Sequence, residues 1–230
     1  MSAARPESGL AEHAYLCLRQ AILDRRFEPG ERLSVAVVTD RLGVGRSPAR
    51  EAIARITYEG LARFEPNKGA VVANPDRGEL VEIYEVREVL EGLACRLASQ
   101  RVRAADLGDL RAILADQRAA IESGDVERHY IIDMRFHARI REIAANSKLA
   151  TQLDLLQDQI RLAMSTTHRS PGGMPLALAE HHRIVDALES QDVLLAEFAG
   201  RGHIARLRKD LAIVEAAAAA PGTPVVEPPR

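Results

Sequence analysis

Between Ser34 and Ala73 the chain reads SVAVVTDRLGVGRSPAREAIARITYEGLARFEPNKGAVVA, a stretch that limits the possible folds more than any other. Its punctuation predicts a short helix over about 35 to 42, a tight turn through Gly43 to Gly45, a second helix from Pro48 to about Glu59, and a hairpin. Ser47 is placed to cap the second helix by accepting from its free N–H groups. Pro48 suits a first helical position that needs no N–H, and Gly60 supplies a left-handed stop. Ala49, Ile53 and Ile56 recur at three-to-four spacing and are expected to pack on Val37, Val38 and Leu42. Arg46, Ser47 and Arg50 then project from the free N-terminal end.

Two helices joined by a glycine turn, the second presenting arginines and a hydroxyl at its start, have the geometry that lets a helix enter the major groove of double-stranded DNA. The arginine fork matches guanine O6 and N7, and both arginine and serine hold phosphates. Leu61 to Phe64 and Ala70 to Ala73 flank Pro66, Asn67, Lys68 and Gly69, which predicts a basic-tipped hairpin able to reach the minor groove or the backbone. An ordinary helical hairpin with solvated arginines would satisfy the same pattern.

The longer pattern narrows the choice. PGERLS (29 to 34), DRLGVGRSPAREAIARITYEGL (40 to 61) and NKGAVV (67 to 72) resemble the winged helix-turn-helix of the GntR family of bacterial transcription regulators, over roughly residues 10 to 74. The resemblance implies that Gly45, Arg46, Ser47 and Arg50 face the operator, with Lys68 and Gly69 in the wing. Gly45 departs from the family by standing where a hydroxyl or other polar side chain is common. Val37 stands where many members carry a charged residue that touches phosphate.

The 230 residues suffice for two modest domains, and an aromatic content of only 3% beside abundant Ala and Leu favours helices over sheets. The formal net charge of -2 argues against a non-specific nucleic-acid binder. Residues 1 to 75 hold 11 Lys and Arg against 9 Asp and Glu, leaving 20 against 24 for the remainder. That asymmetry is weak, so DNA recognition rests on where the arginines stand. Met1 to Gly9 is polar and lacks a signal-peptide core, and no apolar run is long enough to span a membrane, so a cytoplasmic protein is expected. Cys17 and Cys95 are expected as buried thiols.

Leu10, Ala14, Cys17, Leu18, Ala21 and Ile22 share a stripe within residues 10 to 26, predicting a first helix that completes a three-helix winged domain over 10 to 74. Residues 1 to 9 are expected to be disordered. Asn74-Pro75-Asp76 marks the domain break, because Pro75 disfavours helix at Asn74 and Asp76 is a capping residue. Over 75 to 216 the periodicity predicts an all-α bundle of six helices, at about 76 to 100, 104 to 122, 125 to 145, 148 to 168, 175 to 190 and 192 to 218. Ser123-Gly124, Asn146-Ser147 and Ser170-Pro171-Gly172-Gly173 are its stops. The fold class is therefore mainly α, with one small hairpin. The tail over 217 to 230 is expected to be disordered.

A second constellation lies in the bundle. Asp133 and His137 stand one turn apart on the face of Ile132, Phe136, Ile140 and Ile143. His181 shares a stripe with Leu178, Ile184, Val185 and Leu188, and His203 lies beside Ile204. Polar groups on an apolar face need partners, since burying one unpaired costs a few kcal/mol. Three histidines and an aspartate converging would make an N3O site for a divalent transition metal, although each histidine taken alone reads as a satisfied core or surface residue before it reads as a ligand. His13, His129, His168 and His182 lack such company and are assigned to surface or structural roles.

YEVREVLEGLACRLAS (84 to 99), DMRFHARI followed by AN (133 to 146), EHHRIVDALESQD (180 to 192) and RGHIARL (201 to 207) resemble the FCD ligand-binding domain of the FadR subfamily. Six helices look like the VanR-type branch. The resemblance implies that Asp133, His137, His181 and His203 bind a metal, with zinc expected first and nickel or manganese as alternatives, and that a small carboxylate effector sits beside it. Arg87 is the candidate counter-ion for that effector, or else pairs with Glu91 one turn on. Asn146 serves the pocket or caps a helix end. The implied assembly is a homodimer on a pseudo-palindromic operator. The same donor set also admits a metal-dependent hydrolase or an adaptor with a purely structural metal.

Overall fold

A computed structural model describes residues 6–163 and 173–219, with side chains over 9–163 and 173–211. The chain divides into two compact units, Met1–Asp76 with Asp154–Ser165, and Arg77–Leu153 with Thr166–Arg230. The first opens with α1 (Pro6–Leu23), so residues 6–9, expected to be disordered, are helical. Residues 1–5 lie outside the described residues. Ala14, Leu18, Ala21 and Ile22 of α1 have no exposed surface, as their stripe requires, whereas Leu10, expected on the same stripe, is exposed. Cys17 is only half-buried, with its Sγ 3.6 Å from His13 Nε2, which corrects the expectation of a buried thiol.

Helix α2 (Val35–Leu42) starts at Ser34, whose Oγ accepts from Val37 N–H at 3.2 Å, and stops at Gly43, which takes the left-handed conformation at φ 66. Helix α3 (Arg46–Tyr58) begins two residues earlier than its sequence suggests. Its N-cap is Gly45, with no side chain capping that end, so Ser47 and Pro48 lie inside the first turn and Ser47 is not the cap. The extended backbone at Gly45 (φ -67, ψ 158) ends the turn two residues before the hydroxyl of Ser47. Ala49, Ala52, Ile53 and Ile56 face the core of this unit beside Leu18, Phe27, Leu33 and Val38. Strands β1 (Ala62–Glu65) and β2 (Gly69–Val72) pair antiparallel, Ala62 opposite Val72 and Glu65 opposite Gly69. The tip turns on positive φ at Asn67 and Gly69.

The second unit holds α4 (Arg77–Ser99), α5 (Ala104–Glu122), α6 (Val126–Ala144), the first part of α7 (Ser147–Ala163), α8 (Gly173–Glu189) and α9 (Val193–Ala219). Each described boundary falls within about three residues of the position read from periodicity, the ordinary uncertainty of helix ends. The expected continuation of α7 to 168, the stop at 170–173 up to Gly172, and the tail beyond Ala219 lie outside the described residues. Residues 217–219 of the expected disordered tail are helical. Residues from Asp154 in α7 group with the N-terminal unit, a division that the sequence break at Asn74-Pro75 does not announce. Leu110, Leu114, Phe136, Ile140, Leu153 and Leu188 anchor the bundle core. Helices α4 and α9 approach closely where Gly200 faces Cys95: a Cβ on Gly200 would lie 2.6 Å from Cys95 Sγ and 3.1 Å from Glu91 O.

Candidate functional site

The short α2, the turn at Gly43 and the buried stripe of α3 hold the start of α3 at the surface of its unit. Arg46, Ser47 and Arg50 are all exposed there, and among the described residues neither arginine has an ion-pair partner. The uncapped N-terminus leaves backbone N–H groups beside them, a feature that suits phosphate. In the wing, Lys68 is exposed but donates to Glu65 Oε2 at 2.9 Å, and Arg63 takes the other oxygen at 3.0 Å. Gly69 opens β2 at φ 81, a conformation that a side chain would strain.

In the bundle, His137 on α6, His181 on α8 and His203 on α9 are 2%, 0% and 2% exposed, and one ring nitrogen of each lies within 4.8 Å of the others. Two of the rings are oriented by the nitrogen that faces away from this meeting point. His181 Nδ1 lies 2.9 Å from Gln117 Oε1 on α5, and His203 Nδ1 lies 2.8 Å from Glu180 Oε2. His137 Nδ1 approaches Glu91 Oε2 on α4 at 3.4 Å. Phe136 stacks on His181 with ring centroids 4.1 Å apart. Asp133 is 25% exposed and stands at the edge of the cluster, Oδ1 3.6 Å from His181 Nε2 and Oδ2 4.0 Å from His137 Nε2.

The electrostatics favour neutral rings at His181 and His203. Burial pushes His181 well below its ordinary value, and the neighbouring rings of His203 and His137 push the same way. Burial also lowers His203, outweighing the hydrogen bond to Glu180. Burial acts to raise Glu91, yet His137, Arg87 and Arg141 together hold its carboxyl well below the usual range.

These residues fit a divalent metal. With His203 Nδ1–H donating to the Glu180 carboxylate, the His203 Nε2 lone pair faces His181 Nε2 across 3.4 Å, where either a hydrogen on His181 or a cation would satisfy it. Both ring nitrogens of His137 are buried and have no hydrogen-bond partner among the described residues. Three imidazoles with one carboxylate form a donor set suited to zinc and its neighbours. Outer acceptors of the Gln117 and Glu180 kind are what metal-binding histidines ordinarily carry.

Both residues assigned to an effector have structural partners. Arg87, 4% exposed, donates from Nε to Glu91 Oε1 at 3.2 Å. Asn146 Oδ1 accepts from the N–H groups of Lys148 and Leu149 at 3.2 and 3.1 Å, so it starts α7, while α6 ends on left-handed Ala145. His129, assigned above to a surface or structural role, is buried at 6% exposure, with Nδ1 unpartnered among the described residues. Sequence reasoning missed Gln117, Glu180 and Glu91 as the groups behind the three histidines. The available signals were Glu180 directly ahead of His181 and Gln117 on the buried stripe of Leu110, Ile113 and Leu114.

Residues 10–72 match the model of the bacterial regulatory proteins of the gntR family, and residues 82–206 match the FCD domain. The chain belongs to the GntR family of DNA-binding transcription regulators and carries an FCD domain behind its winged helix-turn-helix. It is 34% identical over 139 residues to the Nta operon transcriptional regulator of Aminobacter aminovorans, an alignment covering 60% of this chain and 65% of that one. It is 28% identical over 210 residues to the transcriptional repressor RspR of Escherichia coli, covering 90% of each. The structure of E. coli McbR/YncC superposes with a TM-score of 0.70 at 22% identity, covering 91% of this chain and 98% of that one, and shows the shared fold. The family does not favour the hydrolase and adaptor readings. Among the described residues no helix is long and apolar enough to cross a membrane.

Proposed function

We propose that the chain is a cytoplasmic, metal-dependent transcription repressor that binds a pseudo-palindromic operator as a homodimer and is controlled by a small carboxylate effector in the helical domain. The observation that carries this reading is the meeting of three buried imidazoles and Asp133, with the rings of His181 and His203 held by outer partners. His137, His181, His203 and Asp133 hold the ion, zinc foremost, with nickel or manganese as alternatives. When bound, the metal supplies a Lewis-acidic anchor for an anionic oxygen.

The chain's own residues do the rest. Gln117 and Glu180 fix the ring orientations, and Phe136 and the apolar faces of α6 and α8 exclude water from one side. Arg87 contributes positive charge to the same interior, tempered by Glu91, and Asn146 acts through the placement of α7. On the DNA side, Arg46, Ser47, Arg50 and the uncapped start of α3 hold bases and phosphates. Gly45 lets the backbone approach, and Lys68 and Gly69 bring the wing to the duplex. RspR is named a repressor, which supports repression over activation. An effector shifts operator affinity only by as much as it prefers one arrangement of the protein over the other.

The test is fluorescence anisotropy on operator DNA with a panel of small carboxylic acids, before and after metal stripping. Release by an acid only in the metal-loaded protein supports the reading. Release unaffected by stripping contradicts it.

A further inference from the structure

Helix α9 opens with three large apolar side chains turned to solvent: Leu194 at 74%, Leu195 at 48% and Phe198 at 75% exposure. Beside them a groove of about 430 Å³ runs between α8 and α9, walled by Leu195, Phe198 and the small residues Ala187, Ala199 and Gly202. A protruding ring, Phe198, next to a groove lined by small side chains places a knob and a hole on one surface. Monomeric proteins rarely leave such a patch uncovered.

The polar rim is also divided in a telling way. Glu180 is engaged with His203 and Arg206. Arg183 and Asp186, opposite in charge and one turn apart on α8, are both exposed and have no ion-pair partner among the described residues. A two-fold contact pairs a surface with itself, so it needs matching knob and hole and opposite charges within one patch. This surface has both.

We infer that the α8–α9 groove is the face through which a second copy of this chain docks, Phe198 of each copy entering the groove of the other while Arg183 and Asp186 pair across the two-fold. This rests on the homodimer reading and adds its location. The groove is walled in part by His203 and Glu180, so the partner sits against the back of the metal centre.

The experiment is sedimentation equilibrium of the full chain and four variants: Phe198→Glu, Arg183→Asp, Asp186→Arg, and the double exchange Arg183→Asp with Asp186→Arg. Phe198 is mostly exposed, so its replacement leaves the unfolding midpoint near wild type, which circular dichroism checks. The expected result is a dimer whose dissociation constant rises about 100-fold with Phe198→Glu and about tenfold with each single charge reversal, magnitudes typical of an interface anchor and a rim pair. The double exchange returns it to within about threefold of wild type, because opposite charges again face each other. A wild-type dimer that all four variants leave intact overturns the location and spares the homodimer. A wild-type chain that stays monomeric at all concentrations overturns both.

Discussion

Arg19 and Asp158, 139 residues apart in the chain, meet side by side, with Nε donating to Oδ2 and Nη2 to Oδ1, both at 2.6 Å. Asp158 is 7% exposed, whereas the Arg19 side chain keeps 30% of its surface. The pair fastens the later part of α7 to α1 within one unit. Asp158→Ala removes both bonds but lets water reach part of Arg19, so the expected loss is about 1–3 kcal/mol, less than for a fully buried pair. Urea unfolding checks this. The residues of α7 are divided between the two units, so the same variant is also expected to bind operator normally and respond less to effector.

His181→Ala takes away a ring with no exposed surface whose Nε2 faces the cluster. Metal content should fall from about one per chain to a small fraction. Gln117→Leu keeps all four ligands and frees His181 Nδ1, so metal affinity should drop about 10- to 100-fold, read by competition with a chromogenic chelator. Unchanged affinity in Gln117→Leu would reduce its bond to His181 to packing alone.

Arg50→Ala should weaken operator binding by about 1–3 kcal/mol if the fork reads a guanine. If it holds a phosphate instead, the salt dependence of binding flattens by about one unit. Bundle stability and metal content stay at wild type in either case. Retained affinity at moderate salt would remove Arg50 from the interface.

Acid should destabilise the metal-stripped protein. His181 and His203 have folded values below the ordinary 6.5, so the unfolded chain binds protons first as pH falls. The stability they contribute is fully present above about pH 6.5 and is lost as pH falls through their folded values. Thermal unfolding between pH 8 and 5 checks the sign, and metal loading should move the loss to lower pH because bound rings resist protonation.

Gly200→Ala sets two effects of opposite sign against each other. Glycine within a helix costs about 0.5–1 kcal/mol relative to alanine, which favours the change. The new Cβ would stand 2.6 Å from Cys95 Sγ and 3.1 Å from the Glu91 carbonyl, and such overpacking costs about 1–3 kcal/mol. Net destabilisation is expected in thermal unfolding, with metal affinity lowered because Glu91 backs His137.

Much of this arrangement was legible in the residues. Periodicity placed α4 to α9 because each buries one stripe, and the D-x-x-x-H spacing set Asp133 beside His137 because four residues make about one turn. The start of α3 was misread because a side-chain cap is the usual signal, and here the backbone turn at Gly45 does without one. Gln117 and Glu91 stayed invisible as partners because pairing across helices depends on which faces meet, and one chain's periodicity does not fix that. The assignment of Asp154–Ser165 to the N-terminal unit has the same origin: α7 is continuous in sequence pattern, and only its tertiary contacts divide it.

The most direct test of the central claim is elemental analysis of the chain purified without chelators, beside His181→Ala prepared in the same way. The account predicts about one divalent transition metal per wild-type chain and a small fraction in the variant. No metal in the wild type, or one full equivalent in both, would contradict it and leave the three imidazoles as an ordinary buried polar cluster.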